Sequence, residues 1–169
     1  MLAIRSASEK DIPTITEIYN DAILHTSATF DTEIKTVDER LIWFKAHDEM
    51  HPVLVATFHD EVIGWASLNR WSDRVAYDCT AEVSLYVHKD HRGKGTGKLL
   101  LEMLTVEGDK VGLHTLLARI TEGNEKSIYL HERLGFENIG ILREEGKKFG
   151  KYLDVFMLQK VFNPEKNWD

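Results

Sequence analysis

An α/β fold with a mixed sheet is what this sequence predicts, and three observations predict it. Segments of period-two alternation and of helical spacing follow one another in the order β-α-α-β-β-β-α-β-α-β-β. Hydrophobic residues make up 43% of the 169, enough for a sizeable core at a length that corresponds to one domain. No linker, repeat or low-complexity run divides the chain, and Pro13, Pro52 and Pro164 all lie outside Gly/Ser-rich stretches.

The elements follow in order. Leu2–Ser6 alternates as a short strand. Ser8 is placed to cap a helix, with Asp11 where a capping box has Glu or Gln, and Ile12, Ile15, Ile18, Tyr19 and Ala22 recur at helical spacing. Thr36 with Glu39 opens a second helix over Thr36–His47. Pro52–Phe58 and Val62–Leu68 flank His59-Asp60-Glu61 as a hairpin. In Ala81–Val87, alternation sets Val83, Leu85 and Val87 on one face and Glu82, Ser84 and Tyr86 on the other. After a glycine-rich loop, a helix carries Leu100, Met103 and Leu104 and stops at Gly112. Thr115–Thr121 reads as a buried strand, Asn124–Leu134 as a helix ended by Gly135, and two last strands flank Gly146–Gly150.

Charge narrows the function classes. With 21 Lys+Arg against 28 Asp+Glu the net charge is −7, which disfavours a nucleic-acid binder that must neutralise phosphates over a broad face. The N-terminus meets Glu9, Lys10 and Asp11 before any apolar run, so no signal peptide is expected; no stretch approaches the ~18 apolar residues of a membrane span. Cys79 is the single cysteine, so no intrachain disulfide forms, which fits a reducing cytoplasm. The histidines show no zinc spacing, and no metal is expected.

Against that acidic background, residues 88–98 hold Lys89, Arg92, Lys94 and Lys98 with one Asp90, a local charge of +3. Gly93, Gly95 and Gly97 in this strand-to-helix connection would let backbone N–H groups approach an anion at a helix N-terminus. Leu99 after Gly97-Lys98 excludes a Walker A loop, and the alternating glycines exclude the dinucleotide fingerprint. Spacing alone also accommodates a flexible charged turn.

Arg92-x-x-Gly95-x-Gly97 opening a helix resembles the acetyl-CoA pyrophosphate loop of the GNAT acetyltransferase superfamily. Downstream, Asn124-x-x-Ser127-x-x-Leu130-His131 followed by Gly135-Phe136 resembles the family's Asn-x-x-Ala-x-x-Leu-Tyr and Gly-Phe segment. Within the superfamily the resemblance is to phosphinothricin and methionine sulfoximine N-acetyltransferases. It rests on Ile18-Tyr19-Asn20-Asp21, on Thr80–Val87, on His131 in the usual Tyr position, and on Gly146-x-x-Phe149-Gly150-x-x-x-Asp154. Asn69–Val75 departs from that pattern where the family holds its acceptor. The resemblance implies a mostly antiparallel central sheet flanked by helices, one N-acetyltransferase domain over residues 1–169, acetyl-CoA as cosubstrate without a metal, and a homodimer. Tyr152–Leu158 and Trp168 are candidates for the surface between copies, although core burial accounts for most of them equally well.

The candidate roles follow. Arg92, Gly93, Lys94, Gly95, Thr96, Gly97 and Lys98 would hold the pyrophosphate, the backbones of Leu85, Tyr86 and Val87 the pantetheine arm, and Asn124 and Ser127 its neighbourhood. One strand N–H would polarise the thioester carbonyl. An amine with a pKa near ~10 needs a base before it attacks. Glu82 is a candidate because a carboxylate amid an apolar strand is costly unless solvated or used, and it falls on the family's catalytic glutamate. His131 shares a helix face with Asn124 and Ser127, whereas Tyr129 lies about 200° round at ~3.6 residues per turn. Amine deprotonation and thiolate reprotonation remain undivided between Glu82 and His131. Phe30, Trp71, Arg74 and Tyr77 are candidates for the acceptor pocket, with Arg70 or Arg74 set to pair an amino-acid carboxylate.

The expected activity is acetyl transfer to a small amino acid or analogue such as methionine sulfoximine, methionine sulfone or phosphinothricin. A peptide, protein N-terminus or polyamine acceptor is the enzymatic alternative, and a non-catalytic acyl-CoA-binding module the other.

Overall fold

The computed structural model describes residues 1–165. The expected order of elements is present: β1 (Leu2–Ser6), α1 (Ile12–His25), α2 (Val37–Lys45), β2 (Val53–Phe58), β3 (Glu61–Arg70), β4 (Thr80–Val87), α3 (Thr96–Lys110), β5 (Thr115–Thr121), α4 (Glu125–Arg133), β6 (Glu137–Lys148) and β7 (Lys151–Val161). Among the described residues the strands form one sheet of seven, ordered β1-β2-β3-β4-β5-β7-β6, and every neighbouring pair is antiparallel except β4 with β5.

Alternation on the central strands separates two cores. Leu54, Ala56, Ala66 and Leu68 face α3, where Leu100, Leu101 and Leu104 are fully buried. Their neighbours Val55 and Trp65 face the other way, onto Ile12, Ile15, Ile18 and Ile23 of α1. At ~1.5–3 kcal/mol for each large apolar side chain buried, these two layers dominate the stabilisation of the sheet. The second core also holds Arg40 of α2, stacked 3.7 Å from the Trp43 ring centre and 4.5 Å from that of Tyr19.

Local chemistry adjusts the expected boundaries. Asp11 reaches back to the Ser8 N–H at 2.8 Å, but its short side chain closes a 3-10 turn over Glu9–Asp11, and α1 begins at Ile12. Thr36 and Glu39 form the reciprocal capping box of α2. The β2–β3 turn is two residues rather than three: His59 and Asp60 both take positive φ, and Glu61 is already in β3. The last hairpin turns on Phe149-Gly150, both with positive φ, so Gly146 lies inside β6 rather than in the turn. A bulge between Leu142 and Gly146 interrupts the pairing of β6 with β7. Trp168 lies outside the described residues.

Candidate active site

The parallel pair that joins the halves of the sheet is short. β4 and β5 stay in register only at Thr80–Thr115, Ala81–Leu116 and Glu82–Leu117, then diverge. Backbone direction along β4 is set by His88, whose N–H donates to Ile63 O of β3 at 2.8 Å. Even-numbered residues therefore turn their N–H and C=O toward β3 and odd-numbered ones away from it; past the last β4–β5 pair, Leu85 turns both groups to the opening and Val87 its N–H, the Val87 carbonyl being taken by Arg92. This refines the expectation for the three-residue strand segment: Leu85 and Val87 offer backbone groups to the gap, whereas the Tyr86 backbone faces β3. The Tyr86 side chain packs 4.9 Å from Trp65, ring centre to ring centre.

At the end of β4, Gly93 and Gly95 take φ of +73° and +87°, which a side chain would strain. Gly95 caps α3 with no side-chain acceptor, and the first helical bond runs from Leu99 N to Gly95 O. The N–H groups of Thr96, Gly97 and Lys98 are thus left without intrahelical partners at the positive end of the helix, a ready anion cradle. A Cβ on Gly97 would meet Val87 and Leu130 at 3.7 Å, an ordinary contact, so neither φ nor packing within the chain demands glycine at this position. Arg92 is held across the loop, donating to Val87 O at 3.0 Å and to Asp21 at 3.4 Å, while Lys94 donates to Asp90 O at 2.8 Å. A groove of about 610 Å³ runs past Leu85, Val87, Arg92, Gly93, Gly97 and Asn124. Asn124 caps α4 without a side-chain hydrogen bond to it, so its amide is available to a ligand.

The groove continues into a second cavity of about 500 Å³; both are lined by Leu85, Tyr86, Asn124 and Ser127. Glu82 and His131 both lie on the wall of this cavity, together with Phe30. The Glu82 backbone is fixed by Asn69, whose amide donates to Glu82 O at 3.1 Å and to Ser84 Oγ at 3.0 Å. Its carboxylate is met by a residue that the sequence did not single out. Arg119 of β5 reaches back across the divergence and bonds both Glu82 oxygens, Nη2 to Oε1 at 2.8 Å and Nε to Oε2. That pairing raises the Arg119 pKa further, and Trp71 stacks 5.6 Å from the guanidinium. The signal available in the sequence was a lone charge in the strand Thr115–Thr121.

His131 is almost fully buried, 2% exposed. Its Nδ1 lies 2.7 Å from Ser127 O, and because a carbonyl only accepts, Nδ1 carries the proton. Nε2 then presents a lone pair and has no partner among the described residues. Burial lowers the His131 pKa below 6.5, only partly opposed by the bond to Ser127, so the ring is neutral at neutral pH. Tyr129 is exposed, on the far side of α4.

The remaining wall comes from the α1–α2 connection and the last hairpin. Lys148 is buried and donates to Thr26 O at 2.7 Å and Thr29 O at 2.8 Å. Phe30 lies so close over Gly146 that a Cβ there would sit 2.2 Å from its ring. Tyr19 donates to Asp31, and burial followed by that bond raises its pKa to about 12. Phe30 and Trp71 are thereby placed at or beside the cavity. Arg74 and Tyr77 are not: both are exposed on the connection before β4 and outside the cavity lining, and Arg70 is paired with Asp78 at 3.3 Å. Among the described residues, no group of three or more His, Cys, Asp and Glu side chains is placed to hold a metal ion.

The model of the acetyltransferase (GNAT) domain matches residues 4–157. An L-methionine sulfoximine/L-methionine sulfone acetyltransferase of Salmonella typhimurium is 40% identical over 94% of this chain and 93% of its own. A GNAT superfamily phosphinothricin acetyltransferase from Sinorhizobium meliloti, solved in complex with AcCoA, superposes with a TM-score of 0.92 at 33% identity, covering 95% of this chain and 88% of that one. A ribosomal-protein-alanine N-acetyltransferase from Brucella melitensis gives a TM-score of 0.92 at 37% identity, covering 95% and 99%.

Proposed function

Since the chain belongs to the GNAT acetyltransferases, we propose that its two joined cavities carry acetyl from acetyl-CoA to the amine of a small amino acid or analogue. The protein is an acetyl-CoA-dependent N-acetyltransferase; the acceptor class, the site residues and the extent of the domain are our reading. One N-acetyltransferase domain spans residues 1–169 in that reading. The carrying observation is that Glu82 and His131 share the wall of a cavity continuous with the groove at the glycine loop.

Each residue type has a task in the transfer, in which the acetyl group passes from the thioester sulfur to the amine nitrogen and thiol is released. The free N–H groups of Thr96, Gly97 and Lys98 hold the pyrophosphate, with Gly93 and Gly95 allowing close approach and Arg92, Lys94 and Lys98 supplying charge. Leu85 and Val87 bond the pantetheine amides along the open edge of β4, and one of these N–H groups stabilises the oxyanion that develops on the thioester carbonyl. Glu82 draws the amine into place and starts its deprotonation. His131, neutral and with a free Nε2, accepts a proton through water. Phe30 and Trp71 bound the acceptor.

The test is thiol release from acetyl-CoA, measured with methionine sulfone, methionine sulfoximine, phosphinothricin, spermidine and an alanine-starting peptide. The amino-acid analogues are expected to accelerate release. Acceleration by the polyamine or peptide alone would replace the acceptor class. Thermal stabilisation by acetyl-CoA with no turnover for any amine would favour a binding module.

The reading places the protein in the cytoplasm, where the exposed thiol of Cys79 stays reduced; among the described residues no helix is long and apolar enough to cross a membrane. It also makes the protein a homodimer. β6 ends the sheet order and exposes Ile139, Ile141 and Leu142, an apolar edge that a second copy would cover. Sedimentation velocity at micromolar protein is expected to give twice the chain mass of 19.4 kDa; a monomer at that concentration would overturn the assignment.

A further inference from the structure

Among the described residues lining the cavity that holds Glu82 and His131, Arg119 is the one arginine or lysine. Resting on the amino-acid reading above, we propose that Arg119 recognises the acceptor's α-carboxylate by exchanging it for Glu82. A zwitterion inserts into the ion pair: its carboxylate takes the guanidinium, and its ammonium comes to rest against the released Glu82.

Four features carry this. The guanidinium already holds a carboxylate through two parallel bonds, so an acceptor carboxylate fits the same fork without rearrangement. The pair is within a ligand's reach, because the Arg119 side chain is 47% exposed and both residues line the cavity, so an incoming carboxylate competes directly for the guanidinium. After the exchange Arg119 remains in place, held by the Trp71 ring and by its strand, where it pairs with Met157. The pair also sits where β4 and β5 part, two residues past Leu117, the register partner of Glu82, so it lies beside the unpaired edge of β4.

The other charged groups at this wall are committed or wrongly signed. Asp31 accepts from Tyr19, and Glu145 is a further carboxylate; Lys148, outside the lining, is bound to two carbonyls. A zwitterion therefore meets alternating charges in the order guanidinium, carboxylate, ammonium, carboxylate. A simple amine or polyamine must part Glu82 from Arg119 and return nothing to the guanidinium. The arrangement selects amino acids twice, by pairing their carboxylate and by releasing the base only when that carboxylate arrives.

The experiment compares methionine sulfone with its primary amide, as kcat/KM in the wild type, Arg119→Gln and Arg119→Lys. The wild type is expected to prefer the acid by about 10–100-fold, mostly through KM, the range of a lost charge-assisted bond. Arg119→Gln is expected to bring the ratio toward one, and Arg119→Lys to restore part of it. Kd for acetyl-CoA, whose groove Arg119 does not line, reports that the variants are folded; where Arg119→Gln fails to bind it, the Lys variant carries the comparison. An unchanged preference in the folded variant, or equal use of acid and amide by the wild type, overturns the role of Arg119 and leaves the amino-acid reading standing. Thiol release with spermidine but with neither the acid nor the amide overturns both.

Discussion

Glu82→Gln is expected to lower kcat/KM for the acceptor by about 10²–10⁴-fold, the usual contribution of a positioned base. The substitution keeps shape and one oxygen acceptor but cannot take up a proton. It also releases Arg119, yet that side chain is about half exposed, so the cost to folding is small, ~1 kcal/mol or less. Activity and stability should therefore separate: turnover collapses while the unfolding midpoint moves by a few degrees. Kd for acetyl-CoA should stay near the wild-type value, since Glu82 is on the wall of the other cavity. A variant that retains kcat/KM within threefold of wild type would remove Glu82 from the chemistry.

His131→Ala is expected to cost about 10²-fold or more in kcat/KM and to change the pH profile as well. Its neutral ring is the form with a free Nε2, and burial lowers its pKa below 6.5. Wild-type activity should hence persist as pH drops below 6.5 and fall as pH passes through the depressed value, where Nε2 becomes protonated. The variant should lack that limb. Stability has the same sign: the unfolded chain binds the proton more readily, so the histidine's contribution is complete above about pH 6.5 and is lost as pH falls through the folded value. Retention of both the rate and the acid limb in a folded variant would reduce His131 to a packing residue against Phe136, whose ring centre lies 5.0 Å away.

How much of this was legible in the sequence depended on the range of the interaction. Element order was legible because periods of two and 3.6 are local properties, and the runs around Ile12–Ala22 and Ala81–Val87 are unambiguous. Glu82 stood out by the cost of its charge among apolar neighbours, and the loop at Gly93–Gly97 by its glycines. Arg119 carried no local signal of its purpose, since the carboxylate it grips lies 37 residues away. The same holds for Phe30 against Gly146 and for Lys148 reaching Thr26 and Thr29, contacts across 116 residues or more. The direction of the Tyr86 backbone followed from register, which the bond from His88 to Ile63 sets. Arg74 and Tyr77 were drawn in by residue type alone, and the fold leaves both in solvent.

The parting of β4 from β5 has a thermodynamic consequence. The sheet leaves the N–H and C=O of Leu85 and the N–H of Val87 without a partner strand, so a molecule bound at that edge adds to the cohesion of the fold. Any molecule that binds the native state alone raises its stability by RT ln(1 + [L]/Kd), ~2.7 kcal/mol at a hundred times Kd. Saturating acetyl-CoA is accordingly expected to raise the unfolding midpoint of this protein, a shift that thermal unfolding with and without the acyl donor measures.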